Sequence, residues 1–373
     1  MNRLKAKTHH MLILVITALL IIVAMPLLML VLVSPGKTRS CPAAGSGSSI
    51  CEKRFEEIGG VRQGMFIKGA DTANPVLLFV HGGPSFSEYF LAEKYPTGLE
   101  DHFTVCYWDQ RGGGLSATRE VTMESLNLGQ LAADMIEVTN YLRSRFGKER
   151  IYILAHSGGT AFALRAVAEN PELYHAYIGM AQITRQAESE KLAYRYMVDS
   201  YSSSGNRKMA AKFREYPIIE DEAYLLPFFN SVLRDKSMHE LGIGTMRNMN
   251  SIMTGVFYPV WLCRAYTIRE KFNIWRSKFS FVKKSGLRAE VLKLDMSVAV
   301  PELGIPAYFI SGRHDLTVSH DLSEEYCNKL ESPLKRFYTF KNSAHSPMFE
   351  EPERFLEIMI TDVLNKAITL TND

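Results

Sequence analysis

The apolar residues of this chain fall into short unbroken runs that alternate with amphipathic stretches. Residues 76–80 (VLLFV), 103–108 (FTVCYW) and 151–154 (IYIL) have almost no polar positions, which is typical of strands buried on both faces. Between them, apolar residues recur every three or four positions, which predicts a helix capped by Gly147: Leu128, Leu131, Met135, Val138 and Leu142. Further strands are predicted at 305–311 and 335–340. Buried strands that alternate with helices predict a mostly parallel sheet flanked by helices.

A longer apolar run precedes this pattern, begins at Met11 and ends at Val33 without a charged residue. As a helix it would be about 34 Å long, which is enough to cross a bilayer. The competing interpretation, a cleaved signal peptide, usually has an apolar region of about 7–15 residues. The run therefore predicts a retained membrane anchor. Basic residues at 3, 5 and 7 favour a cytoplasmic N-terminus at 1–10 and a single-pass cell-membrane protein with an extracytoplasmic domain.

The composition of the chain indicates a linker and a globular core. Residues 34–52 begin with Pro, Gly and Ser and predict a flexible linker, and Cys41 and Cys51 would be able to pair in an oxidising compartment. The chain of 373 residues is 46% hydrophobic and has a net charge of +3, which suits a globular core at 53–182 and 304–373. No concentrated basic face indicates nucleic acid. The oligomeric state stays open.

The stretch 150–164 (RIYILAHSGGTAFAL) predicts a strand, a sharp turn and a helix. Such a turn lifts the side chain at its apex, Ser157, clear of the sheet, and it needs small neighbours two residues to either side. Gly159 meets this need, and Ala155 departs from the G-x-S-x-G pattern by one methyl group. The five residues alone also suit an ordinary turn, so the interpretation depends on the strand and helix around them.

Two further glycine-rich motifs follow buried strands: HGGP at 81–84 and DQRGGGLS at 109–116. Together with the turn at Ser157, they make the chain similar to the α/β-hydrolases, and within them to the proline iminopeptidase-like group. The resemblance covers about 55–182 and 305–368. It implies an α/β-hydrolase fold. One departure is Ser85, where the family often has a glycine.

The resemblance also implies the partners of Ser157. Asp315 follows the strand at 305–311 in a loop that resembles the acid-bearing loop of the family. His345 lies in NSAHSP after the final strand, with Ala344 in place of a glycine. The histidine would accept the serine proton, and the aspartate would hold the imidazole in the required tautomer. His314 and His320 are alternatives for the base, but neither follows the last strand.

Backbone amides complete the expected chemistry. The N–H groups of Gly83 and Gly158 are expected to bind the oxyanion of a tetrahedral intermediate. No set of His, Cys and carboxylate residues has ligand spacing, and no glycine loop suits a phosphate, so no metal or cofactor is expected. The expected reaction is acyl transfer to water.

Between 183 and 303 the pattern becomes mostly helical, which predicts a cap inserted over the carboxyl ends of the strands. The related aminopeptidases use cap carboxylates to hold the free amino group of a substrate. Glu188 and Glu190 are candidates for this role. A solvated helix face that pairs them with Arg185 and Lys191 explains them equally well.

Three interpretations compete. The first is a membrane-anchored serine hydrolase that removes N-terminal residues from small peptides or aminoacyl amides. The second is an esterase or lipase-like hydrolase, favoured by the apolar cap and the membrane segment. The third is a catalytically silent binding protein, disfavoured because a complete set of Ser, Asp and His is present. An epoxide hydrolase or dehalogenase is disfavoured because those enzymes use an aspartate where this chain has Ser157.

Overall fold

A computed structural model describes residues 11, 17, 24–25, 28–38, 48–249 and 251–365. Most of the predicted anchor at 11–33 therefore lies outside the described residues, and so does Cys41. Within the described part of the chain, no helix is both long enough and apolar enough to span a bilayer.

The centre of the fold is an eight-stranded sheet in the order β1-β2-β4-β3-β5-β6-β7-β8. Its strands are β1 Ile50–Ile58, β2 Val61–Gly69, β3 Val76–Val80, β4 Thr104–Asp109, β5 Ile151–His156, β6 Tyr174–Met180, β7 Ala307–Gly312 and β8 Lys335–Phe340. The pairs β1–β2 and β2–β4 are antiparallel, and all other neighbours are parallel. The prediction of a mostly parallel sheet is confirmed.

Helices cover both faces of this sheet. The described helices outside the cap are Tyr89–Lys94, Leu128–Phe146, Thr160–Glu169, His320–Lys329, Pro347–Glu350 and Pro352–Ile358. The helix Leu128–Phe146 begins at Asn127, whose side chain accepts a hydrogen bond from Gln130 N at 2.8 Å. It ends at Gly147, where a φ of 60° closes the helix in the left-handed region. The spacing of the apolar residues had predicted both this helix and its cap.

The sheet separates two apolar cores. Successive residues of β3 alternate between them: Leu78 packs in one core and Leu77 in the other. Because both faces of the central strands are buried, every position of β3, β4 and β5 is buried. This double burial is the physical reason for the unbroken apolar runs in the sequence.

The segment between β6 and β7, which we call the cap, is mostly helical, as its periodicity indicated. Its helices are Gln186–Ser203, Arg207–Phe213, Leu225–Phe229, Val232–Glu240, Tyr258–Leu262, Ile268–Arg276, Val282–Lys284, Leu287–Leu292 and Met296–Ala299, with wider π-helical turns at Met253–Phe257 and Ser277–Phe281. The cap has an apolar cluster of its own that includes Met197, Phe213 and Phe228. It is therefore held together by packing and not only by its contacts with the sheet.

The described parts of the predicted linker contact the folded domain. Pro35 forms a β-bridge with Thr267 of the cap, and Lys271 Nζ donates to Val33 O at 3.0 Å and Ser34 Oγ at 2.8 Å. At the other end of the linker, β1 already begins at Ile50. Composition indicates a lack of large apolar residues, but it does not reveal hydrogen bonds that a short segment forms with a distant part of the chain.

Candidate active site

Ser157 lies at the apex of the turn between β5 and the helix Thr160–Glu169. Its φ is 49°, a left-handed conformation that non-glycine residues rarely adopt. A Cβ at Gly159 would lie 2.5 Å from the carbonyl oxygens of Val80 and His81, so only glycine fits there. Ala155 is fully buried in β5, and its methyl group is accommodated. The predicted strand, turn and helix are all present.

The structure brings Ser157, His345 and Asp315 into one hydrogen-bonded line. His345 Nε2 lies 2.7 Å from Ser157 Oγ, and His345 Nδ1 lies 2.8 Å from Asp315 Oδ2. A carboxylate accepts hydrogen bonds, so Nδ1 carries the hydrogen and Nε2 is left to accept from the serine hydroxyl. The other oxygen of Asp315 accepts from the N–H groups of Thr317 and Val318 at 2.8 and 3.0 Å. The three side chains are therefore aligned for proton transfer from the serine.

Gly83 and Gly158 lie beside Ser157 and line the same cavity. A Cβ at Gly158 would be 2.9 Å from Gly83 N, which shows how closely the two backbones approach. Neither N–H donates a hydrogen bond to any residue that the structure describes. Two unused donors next to a serine hydroxyl are what an oxyanion requires.

A second polar pair, which the sequence did not reveal, lies beneath this line. Glu88 Oε2 is 2.8 Å from His156 Nδ1, and His156 Nε2 donates to the carbonyl oxygen of His345 at 2.9 Å. Glu88 Oε1 also accepts from Gly82 N at 3.2 Å. The pair thus joins the HGGP loop to the backbone of His345. No local pattern singles out Glu88, because Ser87, Glu93 and Lys94 are polar residues in the same stretch.

The Glu88–His156 contact stabilises the charged form of each partner. Burial alone would raise the pKa of Glu88, but the neighbouring His156 lowers it. Burial alone would lower the pKa of His156, but the Glu88 carboxylate raises it. Both ring nitrogens of His156 face acceptors, which agrees with an imidazolium. The residue before the serine is therefore a buried histidine whose charged form the Glu88 carboxylate stabilises.

The two glycine-rich motifs hold the loops of the site in place. His81 Nε2 accepts from Gln110 N at 3.0 Å, and burial lowers the pKa of His81 to about 4, so this ring is neutral. Arg111 is almost fully buried and donates to both oxygens of Asp134 at 2.7 and 2.8 Å. Burial raises the pKa of Asp109 to about 7 despite hydrogen bonds from Leu115 N and Tyr266. These side chains support the loops without lining the cavity.

The cavity above Ser157 has a volume of about 170 Å³ and lies between the sheet and the cap. Apolar side chains from both parts form its walls, among them Phe86, Phe90 and Val256. Charged cap residues that no sequence motif indicated also line it: Arg234, Asp235, Lys278 and Arg288. Their helical pattern gave no signal, because charged residues on amphipathic helices ordinarily face water.

The structure does not bring the two glutamates proposed from the sequence into this cavity. Glu190 is fully buried and forms two hydrogen bonds with the guanidinium of Arg234, at 2.6 and 2.5 Å. Glu188 pairs with Lys191 at 3.1 Å, and its side chain is 47% exposed. The charge of Glu190 is therefore balanced by Arg234. Glu188 is directed toward solvent, so neither carboxylate faces the cavity.

One group of residues has the geometry to hold a metal ion in the described part of the chain: His320, Asp321 and Glu324. It does not line the cavity. Both nitrogens of His320 already have hydrogen-bond partners, Asp321 Oδ1 at 2.9 Å and Thr339 Oγ1 at 2.9 Å. The expectation that no metal or cofactor is required stays a prediction.

Known proteins share this architecture. The family described as "alpha/beta hydrolase fold" matches residues 75–352. The chain is 32% identical over 312 residues to the probable aminopeptidase YbaC of Bacillus subtilis, covering 82% of this chain and 94% of that one. It is 22% identical over 328 residues to a proline iminopeptidase of Heyndrickxia coagulans, covering 86% and 96%. A proline iminopeptidase structure from Mycobacterium smegmatis superposes with a TM-score of 0.56 at 15% identity, covering 86% and 100%.

The chain therefore belongs to the α/β-hydrolase superfamily. Within that superfamily it falls in the proline iminopeptidase-like group, as the motifs had indicated. It is a hydrolase whose relatives include aminopeptidases.

Proposed function

We propose that this chain is a serine hydrolase that removes N-terminal residues from small peptides or aminoacyl amides. Ser157 is the nucleophile, His345 is the general base, and Asp315 orients and stabilises the imidazole. The N–H groups of Gly83 and Gly158 bind the oxyanion. The observation that supports this proposal best is the continuous line from Ser157 Oγ through His345 to Asp315, with distances of 2.7 and 2.8 Å.

The mechanism follows from these positions. His345 Nε2 removes the hydroxyl proton as Ser157 Oγ attacks the carbonyl carbon, and the negative charge moves to the carbonyl oxygen between the two glycine N–H groups. The imidazolium then gives its proton to the leaving amine. A water molecule, activated by the same histidine, releases the acyl group from the serine.

A fluorophosphonate probe tests the nucleophile. We expect the wild-type chain to be labelled at Ser157, and we expect Ser157→Ala and His345→Ala to abolish labelling. His314→Ala is the matched control, because this nearby histidine has no place in the line and its removal should leave labelling intact. Labelling of Ser157→Ala, or none of the wild-type chain, would favour the silent binding protein instead.

The amino group of the substrate requires an acid in the cavity, and we propose Asp235 for this role in place of Glu188 and Glu190. Asp235 lines the cavity, its side chain is 37% exposed, and its ion pair with Arg234 at 3.2 Å leaves one oxygen available. Asp235→Asn should lower kcat/KM for free aminoacyl amides by about tenfold to a hundredfold, the range of a hydrogen bond to a charged group.

A substrate panel distinguishes the peptidase from the esterase. Alanine and proline 4-nitroanilides should be hydrolysed, their N-acetylated forms should not, and short-chain and long-chain 4-nitrophenyl esters complete the comparison. The apolar walls formed by Phe86, Phe90 and Val256 favour the esterase as the second candidate. If only the esters were hydrolysed, or if acetylation of the amino group did not change the rate, the esterase proposal would replace the peptidase proposal.

We also propose that residues 11–33 anchor the chain in the cell membrane with the hydrolase domain outside the cytoplasm. Apolar cap residues support this proposal: Leu262 and Phe272 are 63% and 57% exposed, close in sequence to Thr267 and Lys271, which contact residues 33–35. Protease added to intact cells should release the domain. Recovery of a soluble product that begins between 34 and 47 in untreated cells would indicate a signal peptide instead.

A further inference from the structure

The cap side of the cavity has more positive than negative charge. Arg234, Lys278 and Arg288 contribute three cations, which we call the cap cation cluster, and Asp235 lies among them. Glu190 neutralises Arg234 through its two hydrogen bonds. Burial lowers the pKa of His239 to about 4, so that ring adds no charge. Lys278 and Arg288 therefore face a single carboxylate, and one positive charge is left without compensation.

Lys278 has fewer hydrogen-bond partners than Arg288. Its ammonium lies 5.0 Å from the ring centre of Phe86, and no residue that the structure describes accepts a hydrogen bond from it. Burial lowers the pKa of this lysine, and the Asp235 carboxylate only partly opposes that effect. An ammonium with unused donors in a partly buried cavity is stabilised when an anion binds beside it.

The position of Lys278 places this charge near the reacting serine. The preceding residue, Ser277, donates a hydrogen bond from Oγ to the carbonyl oxygen of Ser85 at 2.7 Å. Ser85 follows the HGGP loop directly, and Phe86 lines the cavity together with Ser157. Ser157 and Lys278 line the same cavity, so a substrate whose carbonyl group meets Ser157 shares that cavity with the ammonium.

Arg288 lines the same cavity and is held in place by hydrogen bonds. Its Nη1 donates to Asn230 Oδ1 at 2.6 Å and to Phe229 O at 3.3 Å. Its Nε is buried and has no partner among the described residues. These two bonds hold the guanidinium in place through neutral groups, so its charge remains available to a ligand.

We propose that Lys278 and Arg288 bind a carboxylate of the substrate, so that this hydrolase prefers small acidic or zwitterionic substrates to neutral ones. The inference rests on the proposed function and narrows its substrate class. The excess of one positive charge matches a carboxylate, which has one negative charge, better than a phosphate, which has almost two at neutral pH. Asp235 beside the cations would hold the ammonium of the same zwitterion.

The carboxylate has two possible sources, and paired substrates distinguish them. Alanylalanine against its C-terminal amide tests the terminal carboxylate, and glutamic acid α-(4-nitroanilide) against its glutamine counterpart tests the side chain. In one pair the wild-type chain should prefer the acid by about tenfold to a hundredfold in kcat/KM, the range of a charge-assisted hydrogen bond. Lys278→Met should remove this preference by slowing the acid alone.

The matched control is Lys283→Met. Lys283 is an exposed cap lysine that donates to Asn230 O at 3.1 Å and does not line the cavity. This variant should keep the preference for the acid. The proposal would be overturned if the wild-type chain had equal kcat/KM for the acid and the neutral substrate in both pairs. It would also be overturned if Lys278→Met lowered kcat/KM equally for the acid and the neutral substrate.

A binding measurement separates failure of this inference from failure of the proposed function. Calorimetric titration of Ser157→Ala with glutarate, and with its neutral diamide, requires no turnover. We expect glutarate to bind at least about tenfold more tightly, and we expect Lys278→Met to abolish the difference. If no amide is hydrolysed but this difference is found, the peptidase proposal fails and the carboxylate site stands. Equal affinity for glutarate and its diamide would refute the site itself.

Discussion

The buried pair of Glu88 and His156 provides the sharpest test of how this site is built. Glu88→Ala removes the carboxylate that neutralises His156 and leaves Gly82 N without its acceptor. Loss of one partner from a buried ion pair costs about 3–5 kcal/mol in the free energy of unfolding. The change also weakens the hydrogen bond that His156 donates to the carbonyl oxygen of His345 at 2.9 Å, and a shift of about 1 Å in a reacting group slows a reaction about a hundredfold.

Glu88→Gln makes the same test without losing the hydrogen bonds. The amide oxygen accepts from Gly82 N, the amide nitrogen donates to a neutral His156 at Nδ1, and Nε2–H of His156 still donates to His345. Both charges disappear together, so we expect a cost of only about 1 kcal/mol. Fluorophosphonate labelling should stay within about tenfold of wild type, since His345 keeps its position.

Urea unfolding followed by far-UV circular dichroism, in one detergent for all variants, measures the stability. The control is Glu169→Ala, which breaks the ion pair with Arg165. The side chains of Arg165 and Glu169 are 69% and 59% exposed. Such a surface pair should contribute less than about 1 kcal/mol. The reasoning is refuted if Glu88→Ala is as stable and as rapidly labelled as wild type, or if Glu88→Gln is as unstable as Glu88→Ala.

Two other predictions follow from the same geometry. Gly159→Ala should cost about 1–3 kcal/mol or prevent folding, because its Cβ meets two carbonyl oxygens at 2.5 Å. The control is Gly129→Ala, which lies in a helix and should be neutral or stabilising. Equal unfolding midpoints for Gly159→Ala and Gly129→Ala would contradict this prediction. The stability gap between wild type and Glu88→Gln should also depend on pH. The raised pKa of His156 and the lowered pKa of Glu88 make the gap largest between the ordinary values of 4.5 and 6.5. It should shrink as pH rises through the folded pKa of His156 or falls through that of Glu88, and a gap independent of pH would contradict this reasoning.

The parts of the site that follow strand ends were predictable from the sequence. Ser157 and Asp315 each come after an apolar run, His345 comes after the more polar last strand at 335–340, and the carboxyl ends of parallel strands meet at one edge of the sheet. A buried strand must be apolar on both faces, so its end is visible in the sequence as an abrupt change of composition. The HGGP motif was recognisable for the same reason, because it begins directly after β3.

The cap was predictable only as helical. Glu188 and Glu190 were reasonable candidates by composition, but the sequence has no information on which helix face meets the cavity. In the structure, Arg234 lies 44 positions away from Glu190 and neutralises it. The partner of a buried charge is a distant residue, so neither its identity nor its effect can be inferred from local spacing.

The sequence by itself determined the order of strands and helices, the turn that exposes Ser157, and the family. These features depend on local hydrophobic patterns and on short motifs in which neighbouring residues act together. Only the tertiary structure decided which charges pair and which remain open to the cavity. Glu88 meets His156 across 68 positions, and Lys278 reaches the cavity because Ser277 is bound to Ser85 across 192 positions. Electrostatic balance depends on distances in space, and these arise only when the chain has folded.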